Sequence, residues 1–551
     1  MAPPVRLPGR HLVLALGVAV GRAVSEEWRA AERSRWLPGR ARAEGFSVQA
    51  RDARPPDVDA GRRILAGAFI LRGASLSVGV GGDPWDRPSP SRAFAEALHR
   101  FDWLPGLVAA GPEGAAEALR LMLEWRRIFG RWNSFAWAPE VMARRVFNLA
   151  CAGPALAARA SEAETAGIAR DLARQARSLL GATGRAGAAE RAACAAVAGA
   201  ALRGPAGRRI LDRGLIKLSR ELPAALAADG GHHTRRADLG LELLFDLQTL
   251  DEAMVQRGLA APDAVQRAIA RLAAAVRFNT LADGGLATFH GGTPQRPSYV
   301  AAARAQDETG DRPTPASLDG YQRMDSRLLQ VVADVAGPPI GPWSERGAAE
   351  CLSIQVLAGG RRLIEASSGR GLQTASTLQV GERPYGRILS GSAAAVLGPR
   401  LVEAEAMIDT QRHEAPGAVW LELAHRGWIA RYGVMHQRRL YLDLEAGELR
   451  GEDRLTPTAK VQGPDGRHFI PYALRFQLHA GVSALVSQDR RSVLLRREGE
   501  AGGWTLRNDA VDIALEPRNP GPGLQLVMRG QRRADSGARV RWKLAPAAQA
   551  R

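Results

Sequence analysis

Four things are scarce or missing in these 551 residues, and each absence narrows the reading. No apolar run approaches the roughly 20 residues that a helix needs to cross a bilayer, so no integral membrane segment is expected. Cysteine is limited to Cys151, Cys194 and Cys351, an odd number without a CxxC pair. That spacing argues against a disulfide framework or a cysteine metal site. Lysine occurs only at Lys217, Lys460 and Lys543. GxSxG, HExxH and a phosphate loop with its Lys-Ser/Thr are all missing, which removes the common signatures of serine hydrolases, zincins and nucleotide-binding enzymes.

What is present is arginine. Seventy-five basic residues against 57 acidic ones leave a net charge of +18, a field that attracts polyanions. Almost all of it is carried by a planar fork suited to carboxylate, sulfate or phosphate oxygens. Abundant Arg, Ala and Gly also fit the codon usage of a GC-rich genome. The basic residues are spread along the chain without a dense tract or zinc-finger spacing, so nucleic acid is not the expected partner. At the N-terminus, Arg6 and Arg10 precede an apolar run from Leu12 to Val20, the order of a secretory signal. The cleavage site is poor, and Gly17, Arg22, Glu26 and Glu27 equally suit an amphipathic helix. A periplasmic or envelope location is one reading, and the compartment stays open.

Length alone implies at least two domains. Residues 1–90 read as an N-terminal segment with a short helix and strand, the latter in the alternation from Ala68 to Val80; Ser89 or Ser91 is placed to cap a helix opening at Arg92. From 91 to 337 apolar residues recur at helical spacing, with segments over Ala163–Leu180, Glu190–Leu202, Ile210–Leu226, Ala237–Arg257 and Asp263–Arg277. Such a series makes a helical bundle or an incomplete α/α toroid. After Pro338–Pro342 the period changes to two, around Ile354, Leu421, Arg438–Leu444, Leu474–Leu478, Val493–Leu495 and Val540–Leu544. Residues 338–551 are therefore expected to form an antiparallel β-sandwich, giving an α+β chain of two domains.

Three polar stretches stand out in the helical half: Asp229–Arg236 (DGGHHTRR), Asp283–Gly292 (DGGLATFHGG) and Asp319–Met324 (DGYQRM). The first puts two histidines and two arginines near a helix N-terminus, where free N–H groups favour an anion. Each stretch can send a polar side chain from a loop into one shared cleft; ordinary turn chemistry is the plainer alternative. Asp229, Glu242, Asp246, Asp283 and Asp319 also leave a two-carboxylate glycosidase open.

In this order, with the later stretches Arg426–Leu444, Gly451–Leu455 and Leu474–His479, these segments resemble the heparinase II/III-like family, and its proteobacterial branch in particular, over Asp83 to Leu544. The resemblance implies a toroid packed on a β-sandwich and cleavage of an acidic polysaccharide by β-elimination. That reaction requires neutralisation of the uronate carboxylate, a base for the adjacent proton and an acid for the leaving oxygen. The matching candidates are His232 as base or carboxylate partner, Tyr321 as proton donor or sugar-stacking residue and Arg235 as anion binder, with His233 and His290 as further substrate contacts. No cofactor or metal is implied. The chain also departs from the family: Gly187–Ala193 offers no Asn, the expected Tyr falls near Leu239, and Ala348 and Ala375 stand where relatives carry His. A carbohydrate-binding or envelope-associated protein that kept the scaffold and lost the chemistry is the competing expectation.

Overall fold

The computed structural model describes residues 43–547, with 13, 16–21 and 24, and without 308–313, 346, 349, 368, 370–372, 382–385, 403–407, 459–467, 501, 519–520 and 534. Arg6, Arg10, Glu26 and Glu27, on which the choice between signal and amphipathic helix rests, lie outside the described residues. Among those described, no helix is long and apolar enough to cross a membrane.

The chain begins with a strap. Gly45–Phe46 pairs antiparallel with Leu202–Arg203, and the Phe46 ring occupies the space over Gly153, where an added Cβ would come within 2.2 Å of it. Arg54 then pins the strap to the Ala237–Val255 helix, its Nη2 donating to Glu242 Oε2 at 3.0 Å and to Asp246 Oδ1 at 2.8 Å. Arg144 holds the same two carboxylates. Glu242 and Asp246 are thus consumed structurally, which removes them from the two-carboxylate reading.

The alternating stretch from Ala68 folds as a hairpin of two strands, Ala68–Leu71 and Ala74–Ser77, rather than as a single strand, and the Ser91 Oγ accepts from the Phe94 N–H to start the Arg92–His99 helix. Helices then follow one another over Pro112–Phe129, Pro139–Ala157, Glu162–Leu180, Ala188–Ala201, Pro205–Ala225, Ala237–Val255 and Asp263–Asn279. Ala188–Ala201 (AAERAACAAVAGAA) lies at their centre, buried almost all round. Only small side chains permit this: a Cβ on Gly199 would sit 2.4 Å from the Leu211 nitrogen.

Two antiparallel sheets follow. One contains, in spatial order, Asp512–Pro517, Leu524–Arg533, Phe469–Leu478, Arg361–Glu365, Ile354–Ala358, Leu329–Asp334, Tyr321–Asp325 and Ser317–Leu318, with Leu378–Val380 also on Phe469–Leu478. The other runs Ile408–Ala415, Ala418–His425, Val434–Asp443, Glu448–Pro457, Ala538–Pro546, Trp504–Asn508, Ser492–Arg497, Val482–Val486. Inward residues of both, such as Leu440, Leu544, Leu474 and Phe476, share one core. Side chains of each strand alternate between this core and the opposite face of its sheet.

The sheet starts earlier than expected. Ser317–Leu318, Tyr321–Asp325 and Leu329–Asp334 all precede Pro338 yet belong to the nine-stranded sheet, so the change of architecture falls about 20 residues upstream of the sequence boundary. The proline-rich stretch at 338–342 was the stronger punctuation, but it interrupts a sheet already begun. This early edge packs on the helical half through a separate apolar cluster of Phe278, Leu281, Phe289, Leu318, Tyr321 and Val332, among others.

Candidate functional site

The two DGG motifs make the same turn. In each, the first Asp side chain accepts from the second glycine, Gly231 to Asp229 Oδ1 at 3.2 Å and Gly285 to Asp283 Oδ1 at 3.0 Å. Gly230 and Gly284 take φ of 102° and 77°, open to glycine. The second carboxylate oxygen reaches the nine-stranded sheet: Asp229 Oδ2 accepts from the Asp319 N–H at 2.6 Å, and Asp283 Oδ2 from Arg362 Nε at 2.6 Å. Both motifs are therefore junctions between the helices and the sheet. Gly231 packs so tightly that an added Cβ would meet Asp319 Cγ at 2.0 Å.

His232 follows the first turn, 4% exposed. Its Nε2 is 3.0 Å from Glu190 Oε1 and its Nδ1 2.6 Å from Thr234 Oγ1. Burial pushes the Glu190 carboxyl upward, but the His232 bond and charge outweigh it and hold it below the ordinary value. His233 is half-buried, its ring 5.8 Å from that of Trp343. Burial, then the neighbouring His232, lowers its pKa.

Arg235 turns away from the helix N-terminus. With φ of 54°, it sends its guanidinium into the sheet, 2.8 Å from Asp334 Oδ1, and donates to the carbonyls of Gly320 (2.9 Å) and Gly337 (2.8 Å). Burial opposes its charge, yet Asp334 and the surrounding acceptors raise its pKa. The anion expected at this arginine is thus supplied by the protein. The Tyr321 hydroxyl donates to the Arg235 carbonyl at 2.7 Å, and its ring lies between the Arg235 guanidinium (4.4 Å) and Phe289 (4.7 Å). Tyr321 sits on a strand rather than on a helical-domain loop, 3% exposed, and burial drives its pKa well up. The hydroxyl is thus engaged inside the junction rather than presented at the surface.

His290 is fully buried. Its Nε2 lies 3.2 Å from Asp334 Oδ2 and 3.1 Å from Arg235 Nη1, and its backbone N–H donates to Glu350. The Ala348 carbonyl is 3.4 Å from His290 Nδ1. Glu350, 1% exposed, is pushed up to about 7 by burial, as is Asp319. The structure thus brings His232, Arg235, Tyr321 and His290 together, but in a sealed junction. Beside it, residues including His232, Arg235, Asp319 and Tyr321 line a cavity of about 20 Å³, room for one water and no sugar.

Asp334, Glu350, Glu190 and Trp343 were missed from the sequence. A lone acid ending an apolar strand (LQVVAD) was the available signal for Asp334, since a buried carboxylate must have a partner.

His425 and His436 of the second sheet are also internal. His425, His436 and Asp453 form a relay, with Nε2 of His436 2.8 Å from Asp453 Oδ1. Arg438 Nε and Trp542 Nε1 donate to the same carboxylate. This is what the RYGVMHQRRLYLDL and GEDRL stretches build. Among the described residues no group of three or more His, Cys, Asp or Glu is arranged to hold a metal ion.

Residues 311–543 match the family model "Heparinase II/III-like, C-terminal". Over its whole length the chain is also 44% identical to FtsZ-localized protein C of Caulobacter vibrioides, covering 99% of this chain and 98% of the relative. The chain belongs to the heparinase II/III-like family. Solved structures agree on the fold. Heparinase III superimposes with a TM-score of 0.66 at 13% identity, covering 97% of this chain and 92% of that one. The heparan sulfate lyase HepC mutant from Pedobacter heparinus gives 0.56 at 13% identity, covering 97% and 89%. This heparinase-like chain is accordingly a helical toroid followed by an antiparallel β-sandwich.

Proposed function

We propose that this heparinase-like chain binds an acidic polysaccharide without cleaving it, and that it shares the FtsZ-associated location stated in the name of its full-length relative. One observation carries the first part: the side chains best suited to β-elimination are spent on the junction. Elimination needs a cation facing the uronate, and Arg235 faces Asp334 instead. It needs an acid at the leaving oxygen, and the Tyr321 hydroxyl is held by a backbone carbonyl. The family resemblance expects imidazoles at positions 348 and 375, where this chain has alanine. The net charge of +18 still favours a polyanion.

A second reading keeps the chemistry and moves it to His233. A lowered pKa leaves that imidazole neutral at pH 7, as a base must be, and Trp343 beside it offers a ring to a sugar.

Purified protein incubated with a panel of uronic-acid polymers separates the two. Measurable binding with no growth of unsaturated-uronate absorbance supports the first reading. Enzyme-dependent growth abolished by His233→Ala supports the second. For location, a fluorescent fusion should follow FtsZ and disperse when FtsZ is depleted; an unchanged distribution would remove that part.

A further inference from the structure

The outer face of the eight-stranded sheet carries a row of side chains that the fold does not need. Cross-strand register aligns His413, Trp420, Tyr441, Arg450, Lys543 and Arg507 in one line perpendicular to the strands. The first three rings stack: His413 on Trp420 at 5.1 Å and 16°, Trp420 on Tyr441 at 6.3 Å and 29°. The Arg450 guanidinium continues the stack 5.5 Å from the Tyr441 ring. One row over, Arg439, Glu452 and Arg541 face the same way. Trp420, Tyr441 and these cations border a groove of about 610 Å³, within the range of small-molecule and oligosaccharide sites. Five cations and two carboxylates line it.

We propose that this groove is a glycan-binding site, distinct from the helix–sheet junction, that takes a stretch of acidic polysaccharide laid across the strands. The inference rests on the acidic-polysaccharide reading above and adds where the polymer sits.

Three features favour that occupant. Strands lie about 4.8 Å apart, comparable with the advance per sugar in an extended glycan, so successive residues of the row meet successive sugars. Arginine forks offer paired donors for carboxylate or sulfate groups, while Trp420 and Tyr441 give apolar surface to sugar C–H groups. The cations of the existing ion pairs are solvent-accessible: Arg541, 58% exposed, holds Asp509 at 2.9 Å, while Arg450, 53% exposed, and Lys543, 39% exposed, share Glu448 at 3.2 and 2.6 Å. Ion pairs open to solvent contribute little to stability, so a ligand anion can take the place of these carboxylates. The strands beneath the groove are paired on both sides, which rules out docking there by strand addition.

The test is fluorescence anisotropy of a labelled polygalacturonate oligosaccharide against the full chain, with neutral maltodecaose as the control sugar. Arg450→Ser/Arg507→Ser/Lys543→Ser should weaken binding at least tenfold, and Trp420→Ala several-fold even at high salt. Arg62→Ser/Arg92→Ser/Arg127→Ser, an equal loss of charge elsewhere, should bind as the wild type.

Wild-type affinity in the groove triple variant overturns the site. In that case the polysaccharide reading stands and only this location falls. If the wild type ignores polygalacturonate and heparin oligosaccharides but binds duplex DNA through the same residues, both readings fall.

Discussion

Replacing Asp334 by asparagine tests whether Arg235 belongs to the junction or to a ligand. Asp334 is fully buried and holds Arg235 Nη2 at 2.8 Å, with His290 Nε2 at 3.2 Å. Asp334→Asn keeps the shape and removes the charge. Breaking a buried pair by loss of one partner costs about 3–5 kcal/mol. The lower end applies here, because the carbonyls of Gly320 and Gly337 still accept from the guanidinium.

About 3 kcal/mol is a large share of the 5–15 kcal/mol typical of folded proteins. In a unit of 150–250 residues it lowers the melting midpoint by about 6–12 °C. Arg235→Met/Asp334→Leu removes both charges and should recover most of that loss, since replacing a buried pair by apolar side chains is often neutral. Urea and thermal unfolding give the stabilities, and anisotropy with polygalacturonate gives the function. The reasoning is refuted by a loss below about 0.5 kcal/mol in Asp334→Asn. It is refuted equally by a well-folded double variant that no longer binds polysaccharide, because Arg235 would then be a ligand contact.

Other perturbations address the same architecture. Burial raises Asp319 to about 7, above its unfolded value near 3.9, so its contribution is fully present below pH 4 and lost as pH rises through 7. Asp319→Asn should therefore compare better with the wild type at pH 8 than at pH 5, and a gap independent of pH would contradict this. Gly231→Ala must displace Asp319, whose Cγ lies 2.0 Å from the new Cβ; a destabilisation of about 1–3 kcal/mol by urea unfolding is expected, and an unaffected midpoint would show that the junction yields. Asp453→Ala strips His436, Arg438 and Trp542 of a shared acceptor and should cost about 3–5 kcal/mol, whereas a neutral result would mean that water takes its place.

The helices and strands were legible because burial imposes a local period, and that period is written in consecutive residues. Glu162–Leu180 and Asp263–Asn279 begin or end within two residues of their expected limits, and from Leu421 to His425 buried and half-buried residues alternate as the apolar pattern requires. The Asp-Gly-Gly turns were equally readable, since the Asx bond and the positive φ involve only neighbours. Where those turns lead was not. Arg235 meets Asp334, and Asp229 meets Asp319, across some 90 to 100 residues, so nothing in the local pattern separates an arginine aimed at a sugar from one aimed at a buried aspartate.

The groove shows the same division. Alternation alone puts Trp420, Tyr441, Arg450 and Lys543 on the outward face of their strands. Only the pairing register, set by turns and by packing against the opposite sheet, lines them up in a row. Local periodicity set most of the elements and the face each of their residues occupies, although the three strands before Pro338 escaped it. The tertiary structure decided which faces meet, because that choice depends on contacts between segments far apart in the chain.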